Sequence, residues 1–204
     1  MNKIIKAVVF DAGGVLVDWE TICRKFAAEA GINEVKFFKV FLDFSFDSKT
    51  GSDLGYMSAD EFFEKCATAL DVPSKAKDWR KRFVPGFKRI EDSYKLLDEL
   101  KGKFKLALLT NSKVGLWDDW ESVGKFKEYF KIIVDSTKVH ILKPDPRIFQ
   151  VLLDRLQLKP QECLFVDDGI KNIEAAKKLG FQTVHFTAPK TGVALVKKKL
   201  GRVK

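Results

Sequence analysis

Five stretches of the chain are apolar without alternation, and each is only a few residues long. They span residues 4–10, 104–110, 132–135, 164–167 and 183–186. Short unbroken apolar runs suit strands buried on both faces, as in a parallel sheet covered by helices. Between them lie apolar stripes at helical spacing: Tyr94, Leu97 and Leu100; Ile148, Leu152 and Leu156; Ile173, Ala176 and Leu179, the last closed by Gly180. Each stripe predicts a helix with one buried face. The alternation of strand and helix predicts a doubly wound α/β sheet of parallel strands.

One long segment breaks the rhythm. Residues 17–89 carry helix patterns and no strand pattern. Ile22, Phe26 and Ala30 share a face before Gly31; Val35, Phe38 and Leu42 follow; Ser58-Ala-Asp-Glu61 reads as a capping box opening a helix with Phe62, Cys66 and Ala69. The expectation is a core domain formed by residues 1–16 and 90–204, with a helical module at 17–89 inserted after the first strand. The phenylalanines of the module are expected to form its own core, a few of them facing a pocket on the α/β domain.

Composition narrows the picture. The 204 residues are 46% hydrophobic and 32% charged, which fits a globular chain of one domain with an insertion and excludes a disordered or collagen-like one. No apolar run reaches the roughly 18 residues a transmembrane helix needs, so no membrane partner is expected. The first ten residues are basic then apolar, in the manner of a secretory leader. The run is short, however, and no small-residue cleavage site follows before Asp11-Ala-Gly-Gly14, so it is read as a strand. Cys23, Cys66 and Cys163 are odd in number and widely spaced; buried unpaired thiols in a reducing cytoplasm are expected. The net charge of +9 favours an anionic partner. Acid-free clustering is confined to Lys190, Lys197, Lys198, Lys199, Arg202 and Lys204. Elsewhere bases and acids mix, so a small phosphorylated molecule fits better than nucleic acid. Oligomeric state is not legible.

Four polar clusters fall at strand ends or helix starts: Asp11, Thr110-Asn111, Lys143 and Asp167-Asp168. Ligands of open α/β sheets bind outside the carboxyl ends of the strands. A carboxylate there can act as a nucleophile, a hydroxyl and an amide can hold an anion, and a lysine can neutralise it. A carboxylate pair can anchor a divalent cation. Gly13 and Gly14 let the backbone turn sharply beside Asp11.

This ordered set resembles the haloacid dehalogenase (HAD) superfamily. Phe10-Asp11-Ala-Gly-Gly-Val-Leu-Val17, Leu108-Leu-Thr-Asn-Ser112, Lys143-Pro-Asp-Pro-Arg-Ile-Phe149 and Phe165-Val-Asp-Asp-Gly-Ile-Lys-Asn172 resemble its four motifs in order, and the insertion resembles the helical cap of one large subgroup. The first motif and the Gly55-Tyr-Met-Ser58 step resemble phosphatases of the glucose-1-phosphate type. The resemblance implies an α/β Rossmannoid core and a phosphatase dependent on Mg²⁺ that acts on a small phosphorylated metabolite, a sugar phosphate among the options. It makes Asp11 the nucleophile. Asp11, the Gly13 carbonyl and Asp168 hold the metal, with Asp167 and Asn172 in support. Thr110 and Asn111 bind the phosphoryl group, and Lys143 steadies the nucleophile.

The chain departs from that pattern at Gly13, where family phosphatases usually carry a second Asp that protonates the leaving oxygen. General acid–base help is typically worth about 10²–10⁴-fold. Three readings stay open: another group (Asp18 among them) or a substrate hydroxyl acts instead, activity is confined to good leaving groups, or catalysis is lost. A 2-haloacid dehalogenase that needs no metal and a non-catalytic regulatory protein are the alternatives in function. His140 stands about where relatives have glycine and is expected in a surface loop or at the pocket entrance. His185 is expected to pack in its strand, Asp18 to cap the next helix, and Trp19 to pack at the root of the insertion.

Overall fold

The computed structural model describes residues 4–201. The apolar runs become strands β1 (Ala7–Phe10), β4 (Lys105–Thr110), β5 (Ile132–Asp135), β6 (Cys163–Asp167) and β7 (Gln182–His185), all parallel, in the order β5-β4-β1-β6-β7. Strand periodicity sends alternate side chains to opposite faces. Val8 and Phe10 join one core cluster, Ala7 and Val9 the other. Helices α5 (Glu91–Leu100) and α11 (Pro189–Leu200) cover the first face; α9 (Pro146–Leu156) and α10 (Ile170–Lys178) cover the second. The stripes of α5 and α9 are buried as expected, and Gly180, after α10, takes φ +92°.

The insertion holds α1 (Glu20–Glu29), α2 (Glu34–Phe46), α3 (Ala59–Ala69) and α4 (Ala76–Phe83). The expectation of no strand here is corrected at its root. There β2 (Val17–Asp18) pairs antiparallel with β3 (Lys88–Arg89), Val17 opposite Arg89. A two-residue ribbon is too short to leave an alternating pattern. The buried face of α2 is also corrected. Phe37, Phe41 and Ser45 point inward, while Val35 and Leu42 are exposed and Phe38 is half-buried. This helix is apolar nearly all round, so periodicity could not select its face. In α3 Ala69 is exposed, with Ala67 and Leu70 buried instead. Ser58 Oγ accepts the Glu61 N–H at 3.2 Å, but the Glu61 side chain pairs with Lys65.

The aromatic residues of the insertion stack on one another: Phe26 on Trp79 at 5.6 Å, and Phe41 edge-on to Phe62 at 4.8 Å. Their cluster is continuous with the core on one face of the sheet, through Phe87 and Trp120. The chain between β4 and β6 carries α6 (Trp117–Gly124), α7 (Phe126–Tyr129) and α8 (Ser136–Val139). The three cysteines are free and buried, and burial pushes the thiols of Cys66 and Cys163 up to about 12. The lysine-rich end is less isolated than its sequence suggests, because Lys197 pairs with Glu99. Arg202 and Lys204 lie outside the described residues. Among the described residues no helix is long and apolar enough to cross a membrane.

Candidate active site

Sheet register brings the site together. Phe10 lies opposite Leu108 on one side and Val166 on the other, so β1, β4 and β6 end at one level. Asp11 leaves β1 with its N–H bonded to the Val166 carbonyl at 2.9 Å. The chain then turns at Gly14, whose φ is +70°. A Cβ on Gly14 would lie 2.1 Å from Asp168 Oδ2, so only glycine lets the acidic pair come this close to the turn.

Lys143 is the centre of charge. Its Nζ lies 2.8 Å from Asp11 Oδ1 and 2.8 Å from Asp167 Oδ2, with all three side chains largely buried. The Asn111 side chain holds the backbone of Lys143: its Oδ1 accepts the Lys143 N–H at 3.0 Å, and its Nδ2 donates to the Lys143 carbonyl at 3.2 Å. Asp167 has no free oxygen. Oδ2 takes Lys143, and Oδ1 accepts from Gly169 N (2.7 Å) and Asn172 Nδ2 (2.9 Å). Asp168 is half-buried, and His185 donates from Nε2 to its backbone carbonyl at 2.8 Å. His185 therefore steadies the acidic loop.

One carboxylate oxygen each from Asp11, Asp167 and Asp168 lie within 4.8 Å of one another. Burial, and after it the charges of Asp167 and Asp168, hold the Asp11 carboxyl well above its usual range despite Lys143. Burial and the Asp167 charge push Asp168 up to about 6. Burial works against the Lys143 ammonium, but Asp11 and Asp167 outweigh it and its pKa is raised. Three carboxylates facing one lysine leave an excess of two negative charges when all are ionised. The donor set is all oxygen. Both features fit a hard divalent cation, with Asp11 and Asp168 free to ligate and Asp167 already engaged.

A cleft of about 1420 Å³ opens over these groups and is lined by Asp11, Gly13, Asn111, Lys143, Asp168 and Asn172. Thr110 and Asp167 are the two exceptions among the expected residues: both are fully buried and neither lines the cleft. The Thr110 hydroxyl donates to the Asn111 carbonyl at 3.3 Å. Ser112 and Lys113, two and three residues beyond Thr110, do line it. Lys113 forms a buried ion pair with Asp53 and donates to Ser45 Oγ at 2.8 Å, tying the insertion to the end of β4. Sequence reasoning missed this pair, whose partners stand 60 residues apart. The only available signal was a lysine just past the second motif.

His140 proves to be a cleft residue. It caps α8 with φ +55°, a left-handed conformation that explains a glycine preference there. Its ring stacks on Tyr56 at 5.2 Å, and its Nδ1 donates to the Leu54 carbonyl at 2.8 Å. Asp18 caps α1, accepting from Thr21 N at 3.0 Å, and does not line the cleft. Trp19 lines it, stacked on Phe41 at 5.6 Å.

A protein-family profile described as haloacid dehalogenase-like hydrolase matches residues 5–180. The chain belongs to that family. Among HAD-like hydrolases it is 33% identical to the D-ribitol-5-phosphate phosphatase of Bacteroides thetaiotaomicron, over 88% of this chain and 91% of that one. It is 27% identical to (S)-2-haloacid dehalogenase 1 of Pseudomonas sp., over 89% of this chain and 84% of that one. A HAD family enzyme from Bacteroides thetaiotaomicron, solved with magnesium and inorganic phosphate, superposes with a TM-score of 0.65 at 25% identity, covering 88% of this chain and 92% of that one. The likeness to mouse Acyl-CoA dehydrogenase family member 10 is local: 41% identity over 75 residues, 7% of that protein's length.

Proposed function

We propose that this HAD-like hydrolase is a phosphomonoesterase dependent on Mg²⁺ that works through an aspartyl phosphate on Asp11. The observation that carries the reading is the charge pattern: one lysine bridging Asp11 and Asp167, with Asp168 adding a third carboxylate. A haloacid needs no such excess of acid. A phosphate dianion approaching a carboxylate does need a cation on each side.

The Asp11 carboxylate attacks phosphorus and the ester P–O bond breaks. The alcohol leaves with the bonding electrons and takes a proton from water. A second water then cleaves the acyl phosphate, which returns the carboxylate and releases phosphate. Lys143 fixes the Asp11 carboxylate in position and offsets charge through the same Oδ1 contact. Asn111 keeps Lys143 in place through its backbone. Asp11, the Gly13 carbonyl and Asp168 would hold Mg²⁺, with Asp167 and Asn172 in support. Bound there, the ion would supply Lewis-acid polarisation of the phosphoryl oxygens. The Asn111 backbone would receive those oxygens, and Thr110 would contribute from beneath. Residues 17–89 would form a cap over a core of residues 1–16 and 90–204. The buried free thiols suit the cytoplasm.

Phosphate release from a panel of monoesters, with Mg²⁺ and with chelator, alongside Asp11→Asn, tests the proposal. Release that needs the metal and vanishes in the variant supports it. A second reading, dehalogenation, has the Pseudomonas relative and the glycine at position 13 in its favour. Halide release from a 2-haloacid in the presence of chelator would put it first.

A further inference from the structure

The wall of the cleft above the carboxylates is apolar in a way the phosphoryl chemistry does not require. Trp19 lies flat on Phe41, 19° from parallel. At the mouth stand Leu42 (37% exposed), Phe46 (48%), Tyr56 (57%) and Ile170 (49%). Scattered exposed apolar side chains are ordinary on a protein surface. Here α2, the step before α3 and the start of α10 all present theirs to one opening, which marks a binding surface.

Four of the charged side chains nearby are already engaged. Lys113 is neutralised by Asp53 within the wall, Arg147 by Asp145, and Asp43 by Lys39. Asp47 accepts from the backbone of Lys49 and Thr50. A polyol needs donors and acceptors in fixed places, and the paired charges of this wall are turned to one another rather than to the opening.

A second, independent observation agrees. Position 13 is glycine, and Trp19 fills the space beside it. No acid stands there to protonate the departing oxygen, which favours a leaving group able to carry its own charge. An aryl oxide does this far more readily than an alkoxide.

We infer that the substrate is an aryl phosphate, its flat apolar ring held between Trp19 and the Phe46–Tyr56 rim while the phosphoryl group meets Asp11. This rests on the phosphatase reading. The test compares 1-naphthyl phosphate with acetyl phosphate, which is activated but small and polar, and with D-ribitol 5-phosphate. Expected is a kcat/KM for the naphthyl ester at least about tenfold above both, carried by a lower KM. Phe46→Ser and Tyr56→Ser alter exposed side chains and so spare folding. Each is expected to reduce the naphthyl-to-acetyl preference about tenfold, the effect of losing one well-buried apolar contact. Naphthyl fluorescence titrated against Asp11→Asn reads binding without turnover, and inorganic phosphate should compete. Equal or better turnover of the polar esters, or an unchanged preference in both variants, overturns the inference and leaves the phosphatase reading standing. No phosphate release from any ester overturns both.

Discussion

The indole Nε1 of Trp19 stands 3.0 Å from the point a Cβ on residue 13 would occupy. Glycine at position 13 and tryptophan at position 19 are therefore one structural feature. An aspartate at 13 requires Trp19 to shift by a few tenths of an ångström out of its stack on Phe41. Gly13→Asp alone is expected to give no gain in kcat. Combined with Trp19→Leu, it should flatten the dependence of rate on leaving-group acidity, because the new carboxyl can protonate the departing oxygen. A plot of log kcat/KM against leaving-group pKa for four aryl phosphates reads this directly. An equally steep plot in the double variant counts against the steric coupling.

Lys143 is the single cation between two buried carboxylates. Removing it strands Asp11 and Asp167. Lys143→Met should lower unfolding free energy in urea by about 3 kcal/mol and abolish turnover. A loss of activity with unchanged stability would mean that the carboxylates neutralise themselves by taking up protons, and proton uptake at neutral pH would then be measurable.

The carboxyls of Asp11 and Asp168 are both raised by burial. A carboxyl raised in the folded state favours folding while it is protonated. Its contribution is full below the unfolded value near 3.8 and is lost as pH rises through the folded value. For Asp168 that window runs from about 3.8 to about 6. The chelated protein should therefore lose stability as pH climbs through it, by about 3 kcal/mol for this group. Asp168→Asn should remove much of that slope. Mg²⁺ should restore the stability above pH 6, where the carboxylates are ionised, and should do little near pH 4. Thermal melts across that range, with and without metal, give the answer.

The Lys113–Asp53 pair is nearly as buried as the pairs made by Lys143. Burial raises the Asp53 carboxyl even against Lys113. Lys113→Met should cost about 3 kcal/mol by leaving Asp53 alone, whereas Lys113→Met with Asp53→Leu should recover most of that loss. Additive losses would show that the two side chains act separately.

Much of this protein can be read from one line of sequence. Unbroken apolar runs identified the strands because a parallel sheet buries both faces. Asp11, Asn111 and Asp167-Asp168 stood out because each sits where such a run ends, and Lys143 because it stands just before a helix; register then brought the strand ends together. Where the chain is apolar all round, as in α2, the pattern was silent about direction. Only packing chose Phe37 and Phe41 over Val35 and Leu42. The ribbon of Val17–Asp18 with Lys88–Arg89 was invisible because two residues make no period.

The sequence by itself determined the fold class, the family and the identity of the charged groups, since these depend on local periodicity and on residue types at strand ends. Tertiary structure alone decided how they are used. It gave Asp167 wholly to hydrogen bonds while leaving Asp168 open, and it turned Asn111 towards the backbone of Lys143. It set Thr110 beneath the cleft rather than in its wall, and it joined Lys113 to Asp53. It also placed Trp19 against Gly13. Each of these turns on where packing sets side chains relative to one another, whether they come from neighbouring turns, as Gly13 and Trp19 do, or from distant segments, as Lys113 and Asp53 do.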